Sequence, residues 1–169
     1  MIRREVGRLS SLVTASGYSK GHIATVGDHI DSIINLIFAT HRYKAEVIWP
    51  KLLSRSRENL EPLLASLTTQ HRSVESTLRQ CWPAARRWRR SPAERQRYDL
   101  ILHLRSVAAV TKSGLAREDI DLVPLVVREL STDENDDFAD RVLHPDPEVS
   151  APVAFEAPGT PPRSATRSR

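Results

Sequence analysis

Between Leu60 and Cys81 the chain repeats Leu60, Leu64, Leu67, His71, Val74, Leu78 and Cys81, in steps that alternate between four and three residues over three heptads. A helix gathers positions spaced this way onto one narrow stripe, the seam of a helical bundle. The stripe cannot be buried by its own helix, so the chain has to supply partners. Three other segments carry the same period. Ile2, Val6, Leu9 and Val13 form the first, interrupted at Ser16-Gly17-Tyr18, where Gly17 suits a left-handed helix stop. The second runs from about residue 21 to Trp49 with Ile23, Val26, Ile30, Ile33, Ile34 and Ile37 facing one way, and Trp49-Pro50 disturbs or ends it. The fourth begins at Ser91-Pro92-Ala93-Glu94, which reads as an N-cap serine, a first-turn proline and a capping-box glutamate. Its stripe continues through Ile101, Leu104, Val107, Thr111, Gly114, Glu118, Leu122 and Leu125, with Pro124 predicting a kink or early end.

Four amphipathic helices with short connections predict an all-α, antiparallel up-down four-helix bundle over residues 1–131. Beyond it the character changes. Residues 133–140 hold five acidic side chains, and prolines recur from Pro145 to Pro162. Such a segment buries too little apolar surface to offset its ordering entropy, so 132–169 is expected to be a disordered acidic, then proline-rich tail. Composition agrees with an α-class core: 40% of residues are apolar but only 5% aromatic, without the sustained alternation of a β fold. The lone Cys81 excludes an internal disulfide framework and any CxxC metal site, and its place on the third stripe makes it a small core residue. No apolar run reaches membrane-span length, and the first residues lack a signal-peptide core, so a cytoplasmic protein is expected.

The informative residues of a bundle are polar ones on its apolar stripes, because burying them unpaired is costly. Thr40, His41 and Lys44 extend the second stripe past Ile37, His71 lies within the third, and Thr111 and Glu118 lie within the fourth. Two readings follow. Rings of His and Glu from facing helices hold metal ions in bundles. Alternatively, His71 is a core-edge histidine hydrogen-bonded to a neighbour, and Glu118 is a buried cap or an ion-pair partner of Lys44.

The segment Thr40-His41-Arg42-Tyr43-Lys44-Ala45-Glu46-Val47-Ile48-Trp49-Pro50 resembles the second-helix motif of hemerythrin-like (HHE) cation-binding domains, with its trailing Trp-Pro. The run from Glu61 to Gln70-His71 is similar to the third helix of that family, and Gly114 to Leu125 to its fourth, usually His-Leu-x-x-Glu-Glu followed by Leu-Pro-Leu. The resemblance covers residues 1–131 and keeps the order of motifs. It implies a cation-binding four-helix bundle whose cofactor is iron, with His71 and Glu118 as metal ligands and His41 as a third candidate.

The departures from the family pattern are specific. Met1 stands where the first-helix histidine is normally found, before a segment like Ile2-Arg3-Arg4-Glu5. The second-helix His-x-x-x-Glu falls on Thr40 and Lys44, or one residue later on His41 and Ala45, so its carboxylate is missing in either register. Glu46, five residues after His41, points off the shared face. In the fourth helix Gly114 replaces histidine and Glu118 survives. An ammonium at Lys44 opposes a divalent cation and can replace it by an ion pair with Glu118. The expected function is therefore a hemerythrin-like domain with an incomplete di-iron site and no stably bound iron, serving as a non-catalytic binding or regulatory module for an unidentified protein partner. The alternative is a weak iron site on His71, Glu118 and His41 that senses oxygen, nitric oxide or redox state.

A second candidate is basic. Residues 79–97 hold seven arginines (79, 86, 87, 89, 90, 95 and 97) with Trp82 and Trp88 among them, opposed only by Glu94. Arg86, Arg87, Arg89, Arg90 and Trp88 would form an anion patch for nucleic acid or an anionic surface, with guanidinium groups on phosphates and tryptophan stacked on bases or seated at a lipid interface. The competing reading is a solvated connector between the third and fourth helices whose tryptophans pack onto the bundle end. The acidic run 133–140 could also fold back on it. No reader motif such as a helix-turn-helix accompanies the patch, so nucleic-acid binding is the lesser expectation. His22 and His29 read as surface or bundle-end residues, and His103 and His144 carry no signal. No Gly-rich phosphate loop, nucleophile elbow or HExxH motif occurs, and no enzymatic activity is expected.

Overall fold

The computed structural model describes residues 2–15, 19–56, 58–131, 133 and 134. Among these the chain is all-helical: α1 (Ile2–Ala15), α2 (Lys20–Tyr43), a π-helical stretch (Lys44–Ile48), α3 (Trp49–Arg55), α4 (Glu61–Arg90), α5 (Glu94–Asp121) and α6 (Val123–Glu129). Both Gly17 and the tail beyond Glu134 lie outside the described residues. None of these helices is long and apolar enough to cross a membrane.

The apolar stripes pack as their periods require. α1 touches α2 and α5, α4 touches α2 and α5, and these contacts close a ring of four helices. α4 runs opposite to both α2 and α5. Arg89, late in α4, meets Asp28 and Asp31, early in α2. His71, early in α4, meets Glu118, late in α5. The core divides into two apolar clusters. The larger holds Val6, Leu9 and Val13 of α1, the isoleucines of α2, Val74 to Trp88 of α4, and Leu100, Leu104 and Val107 of α5. The smaller joins Ile48, Trp49 and Leu52 to Leu60, Leu64, Leu67, Leu122, Leu125 and Leu130. On α5 the inner residue is Leu100, and the expected Ile101 is only half-buried.

Two sequence expectations are corrected. The third helix does not end near Cys81 but continues through Pro83 to Arg90. Proline removes one backbone donor there, yet Ala84, Ala85 and Trp88 prolong the buried stripe, and that packing outweighs one lost bond. The basic run is accordingly the last turns of α4 and the start of α5, and only Ser91, Pro92 and Ala93 connect them. The capping box does not form either. Ser91 closes α4, its N–H bonded to the Arg87 carbonyl, and α5 starts at Glu94 after Ala93 without a side-chain cap. Trp49-Pro50 disturbs the second helical run, one of the two outcomes expected, without ending it. The turn before the proline widens, with the Trp49 N–H reaching back five residues to the Lys44 carbonyl. A proline ring crowds the carbonyl four residues earlier, and a π turn relieves that crowding. Pro124 acts as expected: α5 stops at Asp121, and α6 starts with the proline in its first turn.

Candidate functional site

On three helices the two apolar clusters are separated by polar residues. Along α2 and the turn after it, Ile37 is followed by Thr40 and Lys44 before Ile48. Along α4, His71 lies between Leu67 and Val74, and along α5, Thr111, Gly114 and Glu118 lie between Val107 and Leu122. Thr40, Lys44, His71, Thr111 and Glu118, each 5–7% exposed, are the buried polar and charged residues among those described. All five are polar residues at apolar stripe positions of the sequence, and the fold brings them into one layer.

Glu118 is the centre of the layer. Lys44 Nζ donates to its Oε2 at 2.5 Å, and His71 Nε2 lies 2.6 Å from its Oε1. Burial alone would push this carboxyl up, but the His71 hydrogen bond and the charge of Lys44 hold it down at about 2. An ionised carboxylate only accepts, so the proton of this contact belongs to His71 Nε2. His71 is further held by stacking. The His41 ring lies parallel to it, 3° apart in plane with centroids 3.9 Å apart, and Trp49 stacks at 5.7 Å. Trp49 is itself oriented by an indole N–H to Thr68 Oγ1. His41 Nδ1 faces Glu75 Oε1 at 3.3 Å. Burial, then the neighbouring His71 and Lys44, lower its pKa from 6.5 to about 3, so His41 is neutral at physiological pH.

Iron, the cofactor implied by the family resemblance, does not fit this arrangement. Both oxygens of Glu118 are engaged, one by an ammonium that a cation would have to displace. His41 turns to Glu75, and the Thr40 hydroxyl donates to its own Leu36 carbonyl. At Gly114 the space a side chain would take is filled by Gln70, whose Nε2 would come within 2.7 Å of an added Cβ. Among the described residues, no three His, Cys, Asp or Glu side chains are grouped so that they could hold a metal ion. The sequence had raised the Lys44–Glu118 pair as an alternative to metal. The insertion of Gln70 over Gly114 was missed, and only the missing side chain at Gly114 hinted at it.

The basic run is not one patch. Trp88 is 1% exposed within the larger core cluster and is not available for stacking. Arg89 crosses the face of Gly27 to pair with Asp28 and Asp31, at 2.6 and 2.8 Å. A Cβ at Gly27 would collide with the Arg89 side chain. Arg87 pairs with Asp99 at 2.8 Å, and Arg86 lies over the Trp82 ring at 5.0 Å. The seam of a helix and its outer face alternate within one turn, so a run that reads as basic in one dimension is divided between core, ion pairs and solvent. The acidic run does not reach these arginines where it is described. Glu134 pairs with Lys51 and Arg55 of α3, and the run's remaining acidic residues beyond it lie outside the described residues. Cys81 is buried, and desolvation pushes its thiol up to about 12, consistent with a core role. His29 faces Glu5 at 3.4 Å on the surface.

No protein-family model matches this sequence, and neither the curated proteins nor the solved structures yield a match.

Proposed function

We propose that residues 1–131 form an antiparallel up-down four-helix bundle of hemerythrin-like type, in which an ion-pair network has replaced a metal centre, and that the protein is a non-catalytic binding or regulatory module. One observation carries this reading. The positions that the resemblance aligns with metal ligands, Thr40, Lys44, His71, Gly114 and Glu118, are dispersed over 79 positions of sequence yet line a single small cavity. Each departure from the ligand pattern has a structural replacement at that same place. Lys44 supplies a positive charge beside Glu118, Thr40 satisfies itself on its own helix, and Gln70 fills the space left at Gly114. What remains is a paired carboxylate with no open coordination position, and such a centre has no means of activating oxygen or polarising a substrate.

The test is iron stoichiometry by elemental analysis after anaerobic loading with ferrous iron and desalting. The expected result is no retained iron and an unchanged melting curve. In parallel, a Thr40→His/Lys44→Glu/Gly114→His variant should acquire iron, because it returns ligands to positions already grouped around His71 and Glu118. Iron retained by the parent protein and lost in His71→Ala would overturn the proposal in favour of an iron-based sensor. Failure of a folded three-site variant to bind iron would remove the hemerythrin-like kinship.

A further inference from the structure

The polar layer contains two groups that the ion-pair network leaves unused. Six helical threonines, Thr14, Thr25, Thr40, Thr68, Thr69 and Thr77, donate to the carbonyl four residues before them. Thr111 does not. Its Oγ1 is buried without a protein partner, although the residue is only 5% exposed. In the lining of the same cavity, Gln70 Oε1 is likewise buried and unpartnered. The amide of Gln70 lies against α5 because residue 114 is glycine, whose absent Cβ would come within 2.7 Å of Nε2. Both residues line the cavity that also touches Lys44 and Glu118, and its volume is about 20 Å³.

These features specify an occupant. A cavity of 10–15 Å³ on the same measure admits one water molecule, so about 20 Å³ excludes anything much larger. Lys44 and Glu118 already neutralise one another, and a charged ligand would find no counter-charge. An apolar ligand would leave a hydroxyl and an amide carbonyl buried and unpaired, which costs more than its own burial returns. Thr111 can donate and accept, whereas Gln70 Oε1 only accepts. The matching molecule is small and neutral, accepts from Thr111 and donates to Gln70. We propose that the cavity is a binding site for one structural water, bridging Thr111 and Gln70 beside the Lys44–Glu118 pair. The site depends on these two side chains and on Gly114, not on the protein's kinship, so it can fail while the proposed function stands.

The experiment is water-selective NOE spectroscopy on the isotope-labelled full chain. Cross-peaks of the sign given by long-lived bound water are expected at the Gln70 side-chain amide and at Thr111. Thr111→Ser, which keeps the hydroxyl, should retain them, and Thr111→Val combined with Gln70→Leu should abolish them with helical content preserved. Absence of long-lived water signals at both groups in the parent protein would overturn the proposal, as would their persistence in the folded double variant. If the double variant does not fold, the comparison of the parent with Thr111→Ser decides by itself, since loss of the signals in the serine variant counts against a hydroxyl-held water.

Discussion

Replacing Lys44 by methionine tests the ion pair most directly. Methionine matches the length of the lysine stem and removes only the ammonium, leaving Glu118 in a layer where its side chain is 9% exposed. The pKa of Glu118, held at about 2 against an ordinary 4.5 by the His71 hydrogen bond and by Lys44 together, corresponds to about 3 kcal/mol of native-state stabilisation at neutral pH, an upper bound on the share of Lys44. Direct removal of one partner from a buried pair costs about 3–5 kcal/mol, which gives the same scale. For a domain of this size about 3 kcal/mol corresponds to a fall of about 10 °C in Tm. Glu118→Gln should cost a similar amount, because it leaves the Lys44 ammonium buried and unpaired. The double variant Lys44→Met/Glu118→Gln should recover most of the loss, since it removes both charges and keeps a side-chain oxygen to accept from His71. Urea denaturation at pH 7, followed by far-UV circular dichroism, yields all four corners of the cycle. Losses below about 1 kcal/mol for each single variant, adding in the double, would refute the reasoning, because independent residues add and a coupled buried pair does not.

Acid should act on the same layer in two stages. His41 has a folded pKa of about 3 against 6.5 unfolded, so the unfolded chain takes up a proton that the native state refuses. Its contribution is complete above pH 6.5 and declines as pH falls toward 3, by at most about 1.4 kcal/mol per pH unit. Glu118, also depressed, adds its loss only between 4.5 and about 2. His41→Gln should therefore flatten the stability profile between pH 6 and 5 and make the fall below 4.5 shallower, leaving there the share that belongs to Glu118, as read from urea midpoints across pH. Trp88→Ala should destabilise the protein by about 3–5 kcal/mol through loss of core packing, measured by the same denaturation. A variant that melts like the parent would return Trp88 to the surface.

Much of this site was legible in one dimension. Thr40, Lys44, His71, Thr111 and Glu118 stood out because a polar residue at an apolar stripe position must be explained, and each proved to be buried. Cys81, by the same logic, was correctly placed in the core. The misreadings share a cause. Ser91 satisfies the local rule for a helix start, and Pro83 and the arginines satisfy the local rule for a connector. Both rules lost to the burial of Ala84, Ala85 and Trp88, which carried α4 onward to Arg90. A capping serine is worth about 1 kcal/mol and an interior proline costs about 3 kcal/mol, and the joint burial of Ala84, Ala85 and Trp88 offsets both. The π turn at Lys44–Ile48 had one local sign, Pro50, which marks a disturbance but not its kind.

The sequence by itself determined the all-helical character, the inward face of each helix and the identity of the polar residues that must share the interior. Periodicity suffices for this, because a side chain's direction follows from its position along its own helix. Only the tertiary structure decided who meets whom. Lys44 and Glu118 are 74 residues apart, and no local rule states that the ammonium takes one carboxylate oxygen and His71 the other. Nor does any local rule seat the Gln70 amide in the space left by Gly114, or leave Thr111 unbonded in the lining of the same cavity. Such pairings depend on the register of one helix against the next, and the packing of both apolar clusters together sets that register.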